Sequence, residues 1–396
     1  KKAVLSTAFL LFSLLLPLFS FVPKSSAGAN QCTWIGAGTD DNWSTAANWL
    51  CSVGTVPATG YDVIFPYFAT PEWSRYDLAN TNVYDGIWFT GDTGASGCTW
   101  GSIYLLIESG SNLQIAGDIT ADNVTGACQT YSTINGEGTL TLNGDSTFLS
   151  SNSMGLAIYP HVIDIGANNL VYDSSTSGYN SLSDSIVGSG NLTLSGSNPS
   201  FFNAYYPSLT NSYTGTTTIS AGSMVMVDDE PTMFGTTAAG TTLGAGAGIQ
   251  IGTMYPCLSS GTLTVAESFT VTGSGFIPSF NSSTGYCPVP SITTDVTQWW
   301  NSFYEGFYVN FSGNITLNSN IYVSAVAETT TFSGNISGSG YSINVLSSSG
   351  GQLIINGLSN NTLTSNGNYE TSVTTHTYSD SLPAQNIVVG AKHEVT

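Results

Sequence analysis

Aromatic side chains are where this sequence concentrates potential binding chemistry. Trp299, Trp300, Phe303, Tyr304, Phe307 and Tyr308 put six rings into ten residues, and Phe201, Phe202, Tyr205 and Tyr206 form a second cluster ahead of Pro207. Exposed Trp and Tyr offer large, rigid contact area at low entropic cost, which suits sugars and protein partners. Trp299, Trp300, Tyr304, Tyr308, Tyr205 and Tyr206 are therefore the candidate ligand-binding residues. The competing use of the same rings is a local core folded back over the main body.

Catalytic chemistry has less to draw on. A glycosidase needs convergent carboxylates, and the acidic runs are Asp40-Asp41 and Asp228-Asp229-Glu230. Neighbours in a strand point to opposite faces, so neither run is by itself a catalytic pair. A lyase acting on uronic acids needs Arg or Lys, and His161, His376 and His393 are scattered singly. No nucleophile elbow sits between a strand and a helix. No catalytic residue is assigned, and a non-enzymatic protein is the expectation. Cofactors are not expected either; calcium on the oxygen ligands of Asp228, Asp229 and Glu230 is the one weak exception.

Charge narrows the partners. The chain has 5 Lys and Arg against 25 Asp and Glu. Three of the five, Lys1, Lys2 and Lys24, fall in the first 29 residues, which leaves Arg75 and Lys392. Nucleic acid needs cations to neutralise phosphates, and anionic membrane surfaces need them as well; neither is an expected partner. Glycans or surface proteins of a host or neighbouring cell are.

Residues 1–29 combine a positive start, an apolar run from Ala3 to Val22 and the small residues Ala27-Gly28-Ala29. That is the pattern of a secretory signal peptide cleaved before Asn30, and it predicts a secreted or cell-surface, extracellular location. Six cysteines, an even number, suit an oxidising compartment. Of the fifteen connectivities possible, nearest-neighbour pairing is preferred: Cys32 with Cys51, Cys98 with Cys128, and Cys257 with Cys287. Each pair brackets a loop-like stretch. Metal ligation is the rival use, but there is no Cys-x-x-Cys.

The elements that must position these residues read as strands. The chain has 44 Gly and few Glu, Lys or Arg, a poor composition for helices. Short alternating runs recur at Leu113–Ile115, Thr139–Leu142, Asn191–Leu194, Thr262–Val265, Asn314–Leu317 and Ser342–Val345. Alternation places Leu, Ile and Val on one face and Thr, Asn and Ser on the other. Several share one phrase: Gly138–Gly144, Gly190–Gly196 and Gly261–Val265 are variants of Gly-strand-Gly. Self-similarity of this kind predicts a solenoid. Asn-Gly pairs at Asn135-Gly136, Asn143-Gly144, Asn356-Gly357 and Asn366-Gly367 keep hairpins open as an alternative.

The stretch Asn211–Gly222, followed by Ser223–Val227, resembles the passenger-associated repeat of bacterial autotransporters. That repeat runs as a Gly-x-Leu-x-Leu-x-Gly strand, an Asn-x-Tyr-x-Gly-x-Thr phrase and a further strand, and Gly190–Val227 carries the parts in order. Near the expected mature N-terminus, Thr33-Trp34, Asn42-Trp43, Asn48-Trp49, Val56-Pro57 and Asp62–Phe65 are similar to the opening of β-helical bacterial surface proteins. The resemblance implies an all-β, right-handed parallel β-helix with an N-terminal cap, and a cell-surface role. It covers that opening and one clear repeat. Two features depart from it: no membrane barrel follows, and Leu382–Asn386 lacks the rest of a sortase signal. The chain ends on an apparent strand, Ile387–Val395, as a fragment of something longer would.

The expected organisation is a signal peptide at 1–29, the cap and first turns at 30–100, and a β-helix at 101–396. The expected function is an adhesin-like or stalk segment of a bacterial surface protein. A carbohydrate-active β-helix enzyme and a structural surface coat are the alternatives.

Overall fold

The structure, a computed structural model, describes residues 30–66, 72–90, 102–122, 130–151, 154–174, 180–182, 185–196, 200–202, 210–227, 231–251, 261–272, 291–293, 307–324, 329–338, 341–347, 352–355, 362–367, 374–377 and 387–389. Residues 1–29, where a signal peptide is expected, Cys98, Cys128, Cys257, Cys287 and the run Asp228 to Glu230 lie outside them.

The alternating runs are strands, and they stack in parallel as a β-solenoid. One sheet of 13 strands begins with Trp49–Cys51, Gln31–Trp34, Asp62–Phe65, Gly86–Thr90 and Ile119–Asp122 and ends with Ile315–Leu317 and Ile336–Gly338. All its pairings are parallel except the first, where Trp49–Cys51 runs antiparallel to Gln31–Trp34. A second sheet of 16 strands forms another wall, and a third of 5 strands begins at Gly261–Val265. The first sheet passes without a break from Phe269–Val271 to Ile315–Leu317, so one solenoid continues across the aromatic-rich segment between them.

Register turns the alternation into a core. Cys32, Val63, Ile87, Ile119, Phe148, Tyr172, Leu194, Ile219, Leu243, Val271 and Leu317 are successive register partners, and every one is buried. Each side chain sits on the one below, roughly 4.8 Å away along the stack. A shift of one residue would send the whole apolar set outward, so the register is strongly specified.

The N-terminal end is closed by aromatics. Trp34, Trp43, Trp49, Phe65, Tyr76 and Tyr84 are buried together, with Trp43 edge-on to Trp49 at 5.0 Å and to Tyr76 at 5.1 Å. Two of the three indoles satisfy their N–H groups locally: Trp43 Nε1 donates to Ser74 Oγ and Trp49 Nε1 to the Trp43 carbonyl. Buried Asn48 staples the loop, accepting from Gly38 N and donating to the Asp40 and Asn42 carbonyls. Cys32 and Cys51, register partners across the antiparallel pair, form a disulfide. This is the cap, and it bears out the first of the three expected cysteine pairings.

The Asn-x-Tyr-x-Gly-x-Thr phrase has a physical meaning here. Asn211 is buried and bridges two turns, its Oδ1 accepting from Ile186 N and its Nδ2 donating to the Met233 carbonyl. Tyr213 is buried with its hydroxyl 2.5 Å from Thr217 Oγ1. A β-carbon on Gly215 would collide with the Gly190 carbonyl of the turn below, which explains the glycine. Asn135-Gly136 is not a hairpin: it lies within the long strand Thr130–Leu142, where the register shifts after Gly136 and the glycine adopts a φ of 113°.

Glu267, at the corner between Gly261–Val265 and Phe269–Val271, is buried and accepts from Thr241 Oγ1 at 3.2 Å. Burial pushes its pKa from 4.5 up to about 7, against a partial lowering by the Thr241 hydroxyl. A carboxyl raised in this way binds its proton more tightly in the folded chain than in the unfolded one. Its contribution to stability is full below pH 4.5 and is lost as pH rises through about 7. With allowance for solvent screening, the loss amounts to about 1–2 kcal/mol. Urea unfolding across this window should show the decline, and Glu267→Gln should flatten it; an unchanged slope in the variant would mean that other groups carry the pH dependence.

Candidate functional site

Alternation sends the residues between the core positions outward. Along the first sheet the outward line beside the core column runs through Gln31, Asp62 and Gly86, which are register partners. It continues through Asp118, one residue before the Ile119 that pairs with Ile87, and through Thr147. From there it is Val171, Thr193, Thr218, Thr242, Thr270, Thr316 and Ser337.

Gly86 interrupts this line of side chains, and a cleft of about 260 Å³ opens there, lined by Asp62, Asp85, Gly86, Trp88, Ala116, Gly117 and Asp118. Asp62 comes from the turn below the glycine and Asp118 from the turn above. Asp85 and Gly117 belong to the corners leading into their strands, and Trp88, two residues along from Gly86 on the same face, is half-buried and forms a wall. A β-carbon at Gly86 would stand 3.1 Å from the Asp118 carbonyl, 3.2 Å from Trp88 Nε1 and 3.5 Å from Asp62 Oδ1. The indole N–H and a carboxylate oxygen therefore both reach the floor of the notch.

Backbone bonds hold the surrounding frame. Ile87 N donates to the Asp118 carbonyl and Asp85 N to the Tyr61 carbonyl. The Asp118 carboxylate accepts from Thr147 N at 2.7 Å, tying it to the next turn. Among the described residues Arg75 is the one Lys or Arg, and it is engaged on another wall, 2.7 Å from Glu108 Oε1. The cleft is thus carboxylate-rich, aromatic on one side and without a neighbouring cation among the described residues. Polar hydroxyl ligands fit such a surface, since carboxylates accept their hydrogen bonds and an indole packs on their C–H faces.

Of the candidates read from sequence, Trp299, Trp300, Tyr304, Tyr205 and Tyr206 lie outside the described residues. Tyr308 is on the strand Phe307–Phe311, at the register position of Thr262. Asp40 and Asp41 build a turn: Asp40 Oδ1 accepts from Asn42 N, and the Asp41 carbonyl accepts from Arg75 N. Hydrogen bonds from Thr45 and from the Asn42 backbone hold the Asp40 carboxyl below its ordinary range. His161 is exposed. Among the described residues no group of three or more His, Cys, Asp or Glu could hold a metal ion. Asp62, the pair Asp85 and Trp88, and Asp118 escape a reading by sequence alone because these three places are 23 to 56 residues apart and meet only once the register is known.

Comparison with known proteins returns no matching family model, no matching curated protein and no matching solved structure.

The two glycines of the cleft are not equivalent. A β-carbon at Gly117 would collide with the Asp85 carbonyl, whereas at Gly86 it would meet only close contacts. Gly117→Ala should lower stability by about 3 kcal/mol and Gly86→Ala by no more than about 1 kcal/mol. Urea midpoints read the difference; equal losses would contradict the placement of these two turns.

Proposed function

We propose that this chain is an extracellular, non-enzymatic, adhesin-like or stalk segment of a bacterial surface protein, and that it holds glycan in the notch at Gly86. The observation that carries the reading is the juxtaposition of Asp62, Asp118 and the Trp88 wall around a missing side chain on the outer face. Carboxylates beside an aromatic wall are a common way to orient a saccharide: hydroxyls donate to the one while ring C–H groups pack on the other. The disulfide of the cap accords with an oxidising, extracellular setting, as does a leader of secretory type. A short-side-chain, hydroxyl-rich outer column from Thr147 to Ser337 suits a segment that extends through water.

One observation favours a second reading. Asp62 and Asp118 flank Gly86 from two turns apart, so their backbones are about 9–10 Å from each other. A glycosidase needs two convergent carboxylates, and because both residues line one cleft it is the alternative.

A glycan-array screen of residues 30–396 tests both, with Trp88→Ala and a Trp299→Ala/Trp300→Ala double variant alongside. Specific binding that is lost in Trp88→Ala and kept in the double variant is the expected result. Loss in the double variant alone would move the site to that aromatic segment. Absence of binding to any glycan would favour a structural coat, and release of cleaved product would make the chain a glycosidase.

A further inference from the structure

We infer that Asn143 is a site of spontaneous covalent modification, converting to aspartate and isoaspartate with water as the co-reactant, and that the stacked fold selects it over the other described Asn-Gly pairs. Asparagine amides are among the thermolabile groups of proteins, and a following glycine leaves the next backbone nitrogen unshielded by any side chain. The dipeptide occurs at Asn135, Asn143, Asn356 and Asn366, and Asn356-Gly357 lies outside the described residues. Register separates the other three.

Two of them are held in ladders. Asn135-Gly136 lies within Thr130–Leu142, with Tyr159 and Pro160 as register partners. Asn366-Gly367 lies within Thr362–Gly367, opposite Leu346 and Ser347. Asn143-Gly144 instead occupies the bend between Thr130–Leu142 and Ser146–Ser151. Asn143 is exposed, its N–H donates to the Ile115 carbonyl, and its Nδ2 donates to Gln114 Oε1 at 2.8 Å. The Gly144 N–H makes no hydrogen bond among the described residues. No ladder bond has to break before that nitrogen reacts with the neighbouring side chain.

Attack of the Gly144 nitrogen on Asn143 Cγ closes a cyclic imide. The N–Cγ bond forms, the Cγ–Nδ2 bond breaks, and the proton of the Gly144 amide leaves with the side-chain nitrogen as ammonia. Holding both groups in one short segment makes such a step effectively unimolecular. Water then opens the ring. Addition at Cγ restores the original chain as aspartate, whereas addition at the backbone carbonyl carbon leaves isoaspartate, with one extra carbon in the main chain. Either product sets a new carboxylate two residues from Asp145 and withdraws the donor from Gln114 Oε1. Isoaspartate also disturbs the stack. Gly144 rests so closely on the turn below that a β-carbon would fall 2.6 Å from the Ala116 carbonyl, and a lengthened corner cannot keep that fit.

The test follows residues 30–396 in mildly alkaline buffer, folded and in parallel in urea, reading by peptide mass the change from amide to acid at each pair. In the folded chain Asn143 should convert about tenfold or more faster than Asn135 and Asn366, which must first open ladder hydrogen bonds. Urea should bring the three rates together. The isoaspartate product, separated from the aspartate product, should melt below an Asn143→Asp chain. Equal rates at the three pairs in the folded chain, or a slower rate at Asn143, would overturn the inference. A rate order unchanged by urea would assign the preference to local sequence and overturn selection by the fold. Equal melting of the isoaspartate product and the Asn143→Asp chain would overturn its effect on the stack.

Discussion

Parallel stacking in register imposes one condition on every turn: whatever a position holds must sit against the same position one turn above and one turn below. In the interior the condition is met by the buried column from Cys32 to Leu317. It selects buried, mostly apolar side chains of varied size, from Ile119 to Phe148 and Tyr172 in successive turns. At the corners it selects polar ladders. Asn169 donates to Asp145 Oδ1, Asn191 Nδ2 donates to Asn169 Oδ1, and Asn191 Oδ1 in turn accepts from Thr216 N and Thr216 Oγ1. Each rung completes the hydrogen bonds of the one before, which is how the corners avoid stranded polar groups.

The same condition makes ends costly and gaps conspicuous. A bare first strand would expose both a pairing edge and the end of the core column. The antiparallel return of Trp49–Cys51 and the cluster of Trp34, Trp43 and Trp49 cover that end. On the outer wall, a single glycine is enough to open a site, because the side chains above and below are held in place by their own turns. Gly86 sits between Asp62 and Asp118 in this way, and the backbone bonds of Ile87 and Asp85 keep the gap from closing. The notch therefore follows from one missing β-carbon in an otherwise filled column.

Much of the architecture was legible before any coordinates. Thr139–Leu142, Thr262–Val265 and Ser342–Val345 alternate cleanly, and each lies in a strand. The repeated Gly-strand-Gly phrase pointed to stacking of similar units, and the cysteines nearest the N-terminus are bonded as expected. Register was not legible, because corners of differing length separate the strands: Ile87 pairs with Ile119, but Val271 pairs with Leu317 across a far longer interval. The site depends on register alone. Its carboxylates carry no local motif, and aromatic density drew attention to Trp299 and Trp300, whereas Trp88 stands singly in Gly86–Thr90. Asn135-Gly136 misleads for a related reason: a glycine at a strand corner and a glycine in a hairpin look the same until the partner strand is known.

In-register stacking is the claim on which core, corners and cleft all rest, and disulfide trapping tests it most directly. Thr218 and Thr242 are partners on neighbouring strands of the first sheet, and parallel partners about 4.8 Å apart fall within the span a disulfide bridges. A Thr218→Cys/Thr242→Cys chain should close this bond on mild oxidation and keep its fold. An offset Thr216→Cys/Thr242→Cys chain should leave both thiols free. Efficient bonding of the offset pair, with none in the aligned pair, would contradict the register and remove the basis for placing Asp62, Gly86 and Asp118 in one line.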